Sequence, residues 1–285
     1  MSAKRKPTRP SSNRTRRAAQ RRSSRPWWIA GGVAAVVLVA ILAALLAGGN
    51  NSSSDLRSPA PPALVDKVAS IPPRVFDAVG VGQISAVPKK ISAPPLTVAG
   101  KPLVLYIGAE YCPYCAAERW PTVIALSRFG TFAGLQLTKS ASGDAFADTP
   151  TFSFHGATYQ SKYVTLQAVE LNTRTGGQLD SLTPEQQQIF ATYDSPPYTS
   201  KAGTIPFIDF GGRYLVNGAT YDPSVLSGKT ADEIATLLSD PNSAVAKAVI
   251  GAANTITAAV CDLTGNQPAS VCTDPVITGI RSRLG

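Results

Sequence analysis

Histidine is nearly missing from this sequence. His155 is the only one in 285 residues, and four cysteines complete the set of soft metal ligands. Structural zinc sites are built from two short-spaced ligand pairs. Cys112 and Cys115 supply one such pair; Cys261 and Cys272, with ten residues between them, do not supply the other. Half a zinc site is thus the weaker reading, and His155, with no recognisable partner, reads as a surface or packing residue. Acids are missing from residues 1–26, which hold ten of the 27 Lys and Arg, while the rest holds 17 bases and all 18 acids. The formal charge of +9 therefore belongs to a tail and says nothing of what a folded domain binds. No internal repeat is visible, which excludes stacked-repeat architectures.

What is present begins with that tail. It abuts Trp27, Trp28 and an uncharged apolar run from Ile29 to Ala47, whose 19 residues suffice for a helix across a bilayer. The tryptophans suit the headgroup region, and the Arg-rich flank sets the N-terminus in the cytoplasm. A cleaved signal peptide is the rival, although its apolar core is normally shorter; Ala47-Gly48-Gly49 is the nearest cleavage candidate. Arg21-Arg22 also invites a twin-arginine export reading, against which the flanking residues weigh. Nucleic-acid binding is set aside, because a basic segment joined to a membrane span reads as a topology signal or a contact with anionic lipid. The chain divides into a cytoplasmic tail (1–26), a transmembrane helix (27–47), a flexible linker (48–62) and one extracytoplasmic domain at the cell membrane (63–285).

Cys112-Pro113-Tyr114-Cys115 carries the chemistry. Pro102–Gly108 before it is a β-forming apolar run, and the stretch after Cys115 reads as a helix to about Phe129. A thiol at that junction meets the free N–H groups and positive dipole end of the helix, which stabilise a thiolate. The second thiol, one turn on, can close an intramolecular disulfide. A redox pair is the expectation, with an inert structural disulfide as the bland rival. Cys261 and Cys272 are spaced too widely for such a loop; in an exported domain they read as a structural disulfide.

Further strands are expected at Leu135–Thr138 and Tyr163–Glu170. Helices are expected at 63–71, 74–79, 184–193, 231–238 and 244–260, and a hairpin pairs Thr204–Phe210 with Arg213–Val216 around the two-residue loop Gly211-Gly212. Lys139–Gln160 is loop-like in composition. Alternating strands and helices with a late hairpin indicate an α/β sandwich with a mixed sheet.

Gly108-Ala109-Glu110-Tyr111-Cys112-Pro113-Tyr114-Cys115 at a strand end resembles the active-site segment of the thioredoxin superfamily, and Gly203-Thr204-Ile205-Pro206 before a hairpin resembles its cis-proline loop. More narrowly, residues 63–285, including Thr149–Phe152 and Ser161–Val164, are similar to membrane-anchored thioredoxin-like proteins known only as a domain of unknown function. The resemblance implies a thioredoxin-like sandwich behind one N-terminal transmembrane helix. It also implies a cis Ile205–Pro206 bond, with the Ile205 backbone lying across a bound substrate strand. Between Cys115 and Pro206 the 91 positions are roughly twice the spacing of a minimal thioredoxin, which places an insertion of about 50 residues around 139–181. The buried acid that thioredoxin carries before its cysteines falls near Tyr106, leaving Glu110 and Glu118 as weaker candidates.

The expected activity is membrane-tethered thiol–disulfide exchange on exported protein thiols or disulfides, with Cys112 attacking and Cys115 resolving. Ile205 and Pro206 would align the substrate chain, and Tyr111 and Tyr114 would offer it apolar surface. No metal or organic cofactor is expected; a membrane redox partner is possible. The alternative is a non-catalytic binding module of a cell-envelope assembly, its Cys112–Cys115 bond permanently closed and its insertion used for docking.

Overall fold

In the computed structural model, residues 57–284 are described; the expected tail, transmembrane helix and most of the linker lie outside them. The body opens with β1 (Ser58–Pro59), α1 (Pro62–Ala69) and α2 (Pro73–Val79), each helix started by a proline that has no N–H to leave unpaired. β2 (Lys89–Lys90) and β3 (Thr97–Val98) are short. β4 (Lys101–Gly108) then leads to α3 (Pro113–Ser127). Four more strands follow: β5 (Gly130–Ala133), β6 (Gln136–Lys139), β7 (Pro150–Ser153) and β8 (Thr158–Ser161). β9 (Thr165–Glu170) and α4 (Pro184–Tyr193) precede the hairpin of β10 (Phe207–Phe210) and β11 (Tyr214–Asn217). A 3₁₀ turn at Pro223–Leu226 leads to α5 (Ala231–Leu237), α6 (Ala244–Leu263), α7 (Ala269–Cys272) and α8 (Pro275–Arg281).

β4 is the central strand. It pairs in parallel with β9, Gly108 opposite Glu170, and antiparallel with β10, Tyr106 opposite Ile208. β10 pairs with β11 and β11 with β2, so the sheet is mixed, as the alternation of elements implies. Leu103 to Gly108 are all buried because both faces are covered. Val104 and Tyr106 join a core with α3 and α6, while Leu105 and Ile107 face Ile189 of α4. α6 is long and apolar enough to cross a membrane by composition, but 89% of that stretch is buried inside the body. It is a core helix.

Pro121 sits inside α3 and has no N–H for the carbonyl of Ala117. The hydroxyl of Tyr221 donates to that carbonyl instead, at 2.7 Å. This bond fastens the helix that carries the cysteines to the segment after β11.

Three features depart from the sequence reading. Ser58 and Pro59, assigned by composition to the linker, pair with Leu137 and Gln136 of β6 and belong to the body. Lys139–Gln160 is not all loop: β7 pairs with β6, and β8 pairs with β5. Polarity hid β7, whose Thr151 and Ser153 are buried because their hydroxyls bond the carbonyl of Ala116 and the carboxylate of Glu110. The hairpin turn holds three residues, since Phe210 stands opposite Tyr214. Gly211 and Gly212 there have φ of 64° and 73°, and a Cβ on Gly212 would lie 2.3 Å from the Pro94 carbonyl oxygen.

Cys261, in the last turns of α6, is bonded to Cys272 of α7. Joint replacement by serine should lower stability by about 2–4 kcal/mol, since the bond closes an 11-residue separation in the unfolded chain. Chemical denaturation with and without reductant measures this. Equal midpoints would show that the bond adds nothing.

Candidate functional site

Cys112 is the N-cap of α3, with extended backbone (φ −72°, ψ 120°), and Pro113 holds the first helical position. Its sulfur therefore lies over the open first turn, where the Cys115 amide donates to it at 3.2 Å. Across the gap stands the loop before β10. The Ile205–Pro206 bond is cis, and the Ile205 carbonyl accepts from the Cys112 thiol at 3.6 Å. Ala109, Cys112 and Cys115 form one apolar cluster against which Tyr111 and Ile205 pack. Both cysteines are free thiols; Cys112 is 5% exposed and Cys115 fully buried.

The two thiols have opposite tendencies. Cys112 is pulled below the ordinary thiol range by its hydrogen bond with Cys115, against the opposing effect of burial. The Cys115 amide, the Arg119 charge and the Tyr114 amide add to the pull. Burial pushes Cys115 well above that range, reinforced by its hydrogen bond to Cys112 and by the Cys112 charge. One sulfur is prepared to be a thiolate and the other a thiol.

Of the residues singled out in the sequence, Cys112, Cys115, Tyr111 and Ile205 share this cluster, and Pro206 is buried beside it. Tyr114 turns outward, 43% exposed, with its ring edge-on to Phe146 at 5.9 Å. Phe146 belongs to the segment 139–181, whose Ala141 amide also donates to the Tyr111 carbonyl at 2.9 Å. That segment thus forms one wall beside the cysteines. Cys261 and Cys272 pack in the separate core around α6.

Other residues that shape this site escaped the sequence reading. Asp194, 2% exposed, fixes the proline loop by accepting from the Thr204 amide at 2.6 Å and from the Asn217 side chain at 2.9 Å. Arg119 and Glu170 form a fully buried ion pair at 2.6 Å, and Arg119 Nη2 also donates to the Ala109 carbonyl at 2.8 Å. The available signal was an arginine four positions after Cys115 on an apolar helix, with a glutamate ending a strand. Glu110 is engaged by Ser153 at 2.6 Å and Arg57 at 3.3 Å, and both oxygens of Glu118 are engaged by Thr220. His155 pairs with Asp180 at 2.8 Å within the segment 139–181. Among the described residues, no three His, Cys, Asp or Glu side chains are grouped so as to hold a metal ion.

Comparison with curated proteins and with solved structures finds no match to this chain. Comparison with protein families matches residues 88–262, a stretch that takes in Cys112, Cys115, Pro206 and Cys261. Because that match covers more than half of the 285 residues, the chain belongs to the family described as a domain of unknown function, DUF929.

Proposed function

We propose that this protein is a thioredoxin-like thiol–disulfide oxidoreductase that acts on protein cysteines outside the cytoplasm. The observation that carries the reading is Cys112 at the helix N-cap, receiving the Cys115 amide and facing the carbonyl before a cis proline. Further support comes from the sheet, in which a strand leading to the cysteines lies between a parallel partner and an antiparallel hairpin. The extracytoplasmic placement draws on the basic tail, the apolar run from Ile29 to Ala47 and the Cys261–Cys272 bond.

In this reading a disulfide is attacked by the Cys112 thiolate. One sulfur of the target leaves as a thiolate, and a mixed disulfide with Cys112 remains. Cys115 then gives up its proton and attacks the Cys112 sulfur, releasing the second target sulfur and closing the Cys112–Cys115 bond. Run backwards, the same exchange passes the bond to a dithiol. The Ile205 carbonyl, which faces Cys112, is the hydrogen-bonding group offered to an extended target chain.

The test is equilibration of the full-length chain in glutathione buffers of graded potential, with the two cysteines counted by alkylation. The pair should interconvert with a potential near or above the roughly −180 mV of disulfide isomerases. A bond that stays closed below about −300 mV would mark a structural disulfide and favour the binding-module reading.

A further inference from the structure

The thiols stand beside a buried cation. Arg119 follows Cys115 by four positions on α3, so both side chains share one helix face, and long helical side chains lean toward the N-terminus. The guanidinium is fully buried. Its Nε and Nη2 donate to the two oxygens of Glu170 at 2.8 and 2.6 Å, and Nη2 reaches the carbonyl of Ala109, which packs against both cysteines. Nη1 is buried with no hydrogen-bond partner. The same holds for the hydroxyl of Tyr106, whose ring centre lies 5.9 Å from the guanidinium carbon. The other charged or titratable groups here are Glu110, held at one oxygen by Ser153 and Arg57 and unpartnered at the other, Asp180, which accepts from the Glu170 amide at 3.1 Å and pairs with His155, and Tyr111 at the rim.

We infer that Arg119, oriented by Glu170, is a positioning residue that stabilises the reduced Cys112–Cys115 pair and makes this protein a donor of disulfides to exported dithiols. The inference rests on the thiol–disulfide reading above and adds a direction to it. A buried positive charge favours the thiolate over the uncharged disulfide, and low local dielectric strengthens the effect. Glu170 offsets part of that charge; what Arg119 contributes favours the thiolate at both sulfurs, behind burial and the hydrogen bond between the thiols in size. A dithiol stabilised in its reduced form has a more oxidising disulfide.

In the donating direction, a substrate thiolate attacks Cys112, the Cys112–Cys115 bond breaks, and Cys115 leaves and takes up a proton. The second substrate thiolate attacks the substrate sulfur of the mixed disulfide, and Cys112 leaves as a thiolate. The substrate gains one disulfide and passes two electrons to the protein. A disulfide of higher potential, on a small molecule or another protein, re-oxidises the pair by the reverse exchange.

The experiment compares full-length wild type with Arg119→Met/Glu170→Gln, Arg119→Lys and Glu170→Gln. Three measurements are made: the equilibrium constant with glutathione, the thiolate titration of Cys112, and single-turnover oxidation of a dithiol peptide. The double variant should shift the equilibrium tenfold or more toward its disulfide, about 30 mV, and raise the Cys112 titration midpoint. Arg119→Lys keeps the charge but cannot fork onto both oxygens of Glu170, so it should fall between wild type and the double variant. Glu170→Gln should shift the opposite way, which keeps the test available if the double variant does not fold. A folded double variant with wild-type equilibrium and titration would overturn the role of Arg119. A wild-type pair more reducing than glutathione, unable to oxidise the peptide, would overturn the direction. A wild-type pair that exchanges with nothing would instead remove the thiol–disulfide reading itself.

Discussion

Replacing Cys115 with alanine in the full-length chain should leave Cys112 covalently joined to partner cysteines, whereas replacing Cys112 should abolish such adducts and slow exchange by roughly 10³-fold or more. The asymmetry follows from burial. Cys112 is the sulfur at the surface of the site, 5% exposed, and Cys115 lies behind it at 0%. An incoming sulfur meets Cys112 first. Once the mixed disulfide forms, only Cys115 is placed to release it, so its loss stalls the reaction at the covalent stage. Non-reducing electrophoresis followed by identification of the trapped proteins reads both the reaction and its substrates. Alkylation against pH provides the check on isolated protein: Cys112 should titrate below the ordinary thiol range, and Cys115 should react slowly throughout. Adducts carried by Cys115 in a Cys112→Ala chain would reverse the assignment of roles.

Much of this arrangement was legible because its parts are local. A continuous apolar run can bury both faces of a strand, and Cys-Pro after it supplies a cap and a first helical residue, so β4 and the start of α3 follow from neighbouring residues. The loop opposite required a resemblance, since nothing in Thr204-Ile205-Pro206 alone distinguishes a cis bond from a trans one. β7 was obscured because its buried hydroxyls look polar in sequence and become inner residues only through partners such as Ala116, 35 positions away. The ion pair of Arg119 and Glu170 was obscured for the same reason, its members being 51 positions apart. Beside Tyr106 the structure holds a buried cation, Arg119, whose counter-ion comes from 51 positions away in sequence. Polar groups that satisfy one another across the fold leave no periodic signal, and here the pair of Arg119 and Glu170 touches the apolar cluster of the cysteines through the Ala109 carbonyl.

Glu118→Gln should make the domain more stable at neutral pH, with the gain vanishing in acid. The Glu118 carboxyl is fully buried on α3, and burial pushes its pKa up to about 8 from 4.5, against the opposing pull of the Thr220 amide and hydroxyl. Below the unfolded value both states hold the proton, and the group imposes no penalty. As pH rises above 4.5 the unfolded chain releases a proton that the folded chain keeps, so stability falls by about 1.4 kcal/mol per pH unit until the folded group ionises near 8. On that scale the loss at pH 7 is roughly 3 kcal/mol. Glutamine keeps the shape and an acceptor for the Thr220 amide but has no proton to lose. Thermal melts should therefore coincide near pH 4 and separate by several degrees at pH 7 to 8, with the variant higher, since ~1 kcal/mol moves the midpoint of a domain this size by about 2–4 °C. Exchange with glutathione should be unchanged, because both carboxyl oxygens are engaged by Thr220. Parallel melting curves at every pH would show that Glu118 is ionised in the fold. A loss of exchange in a stable variant would instead make Glu118 the proton carrier for Cys115.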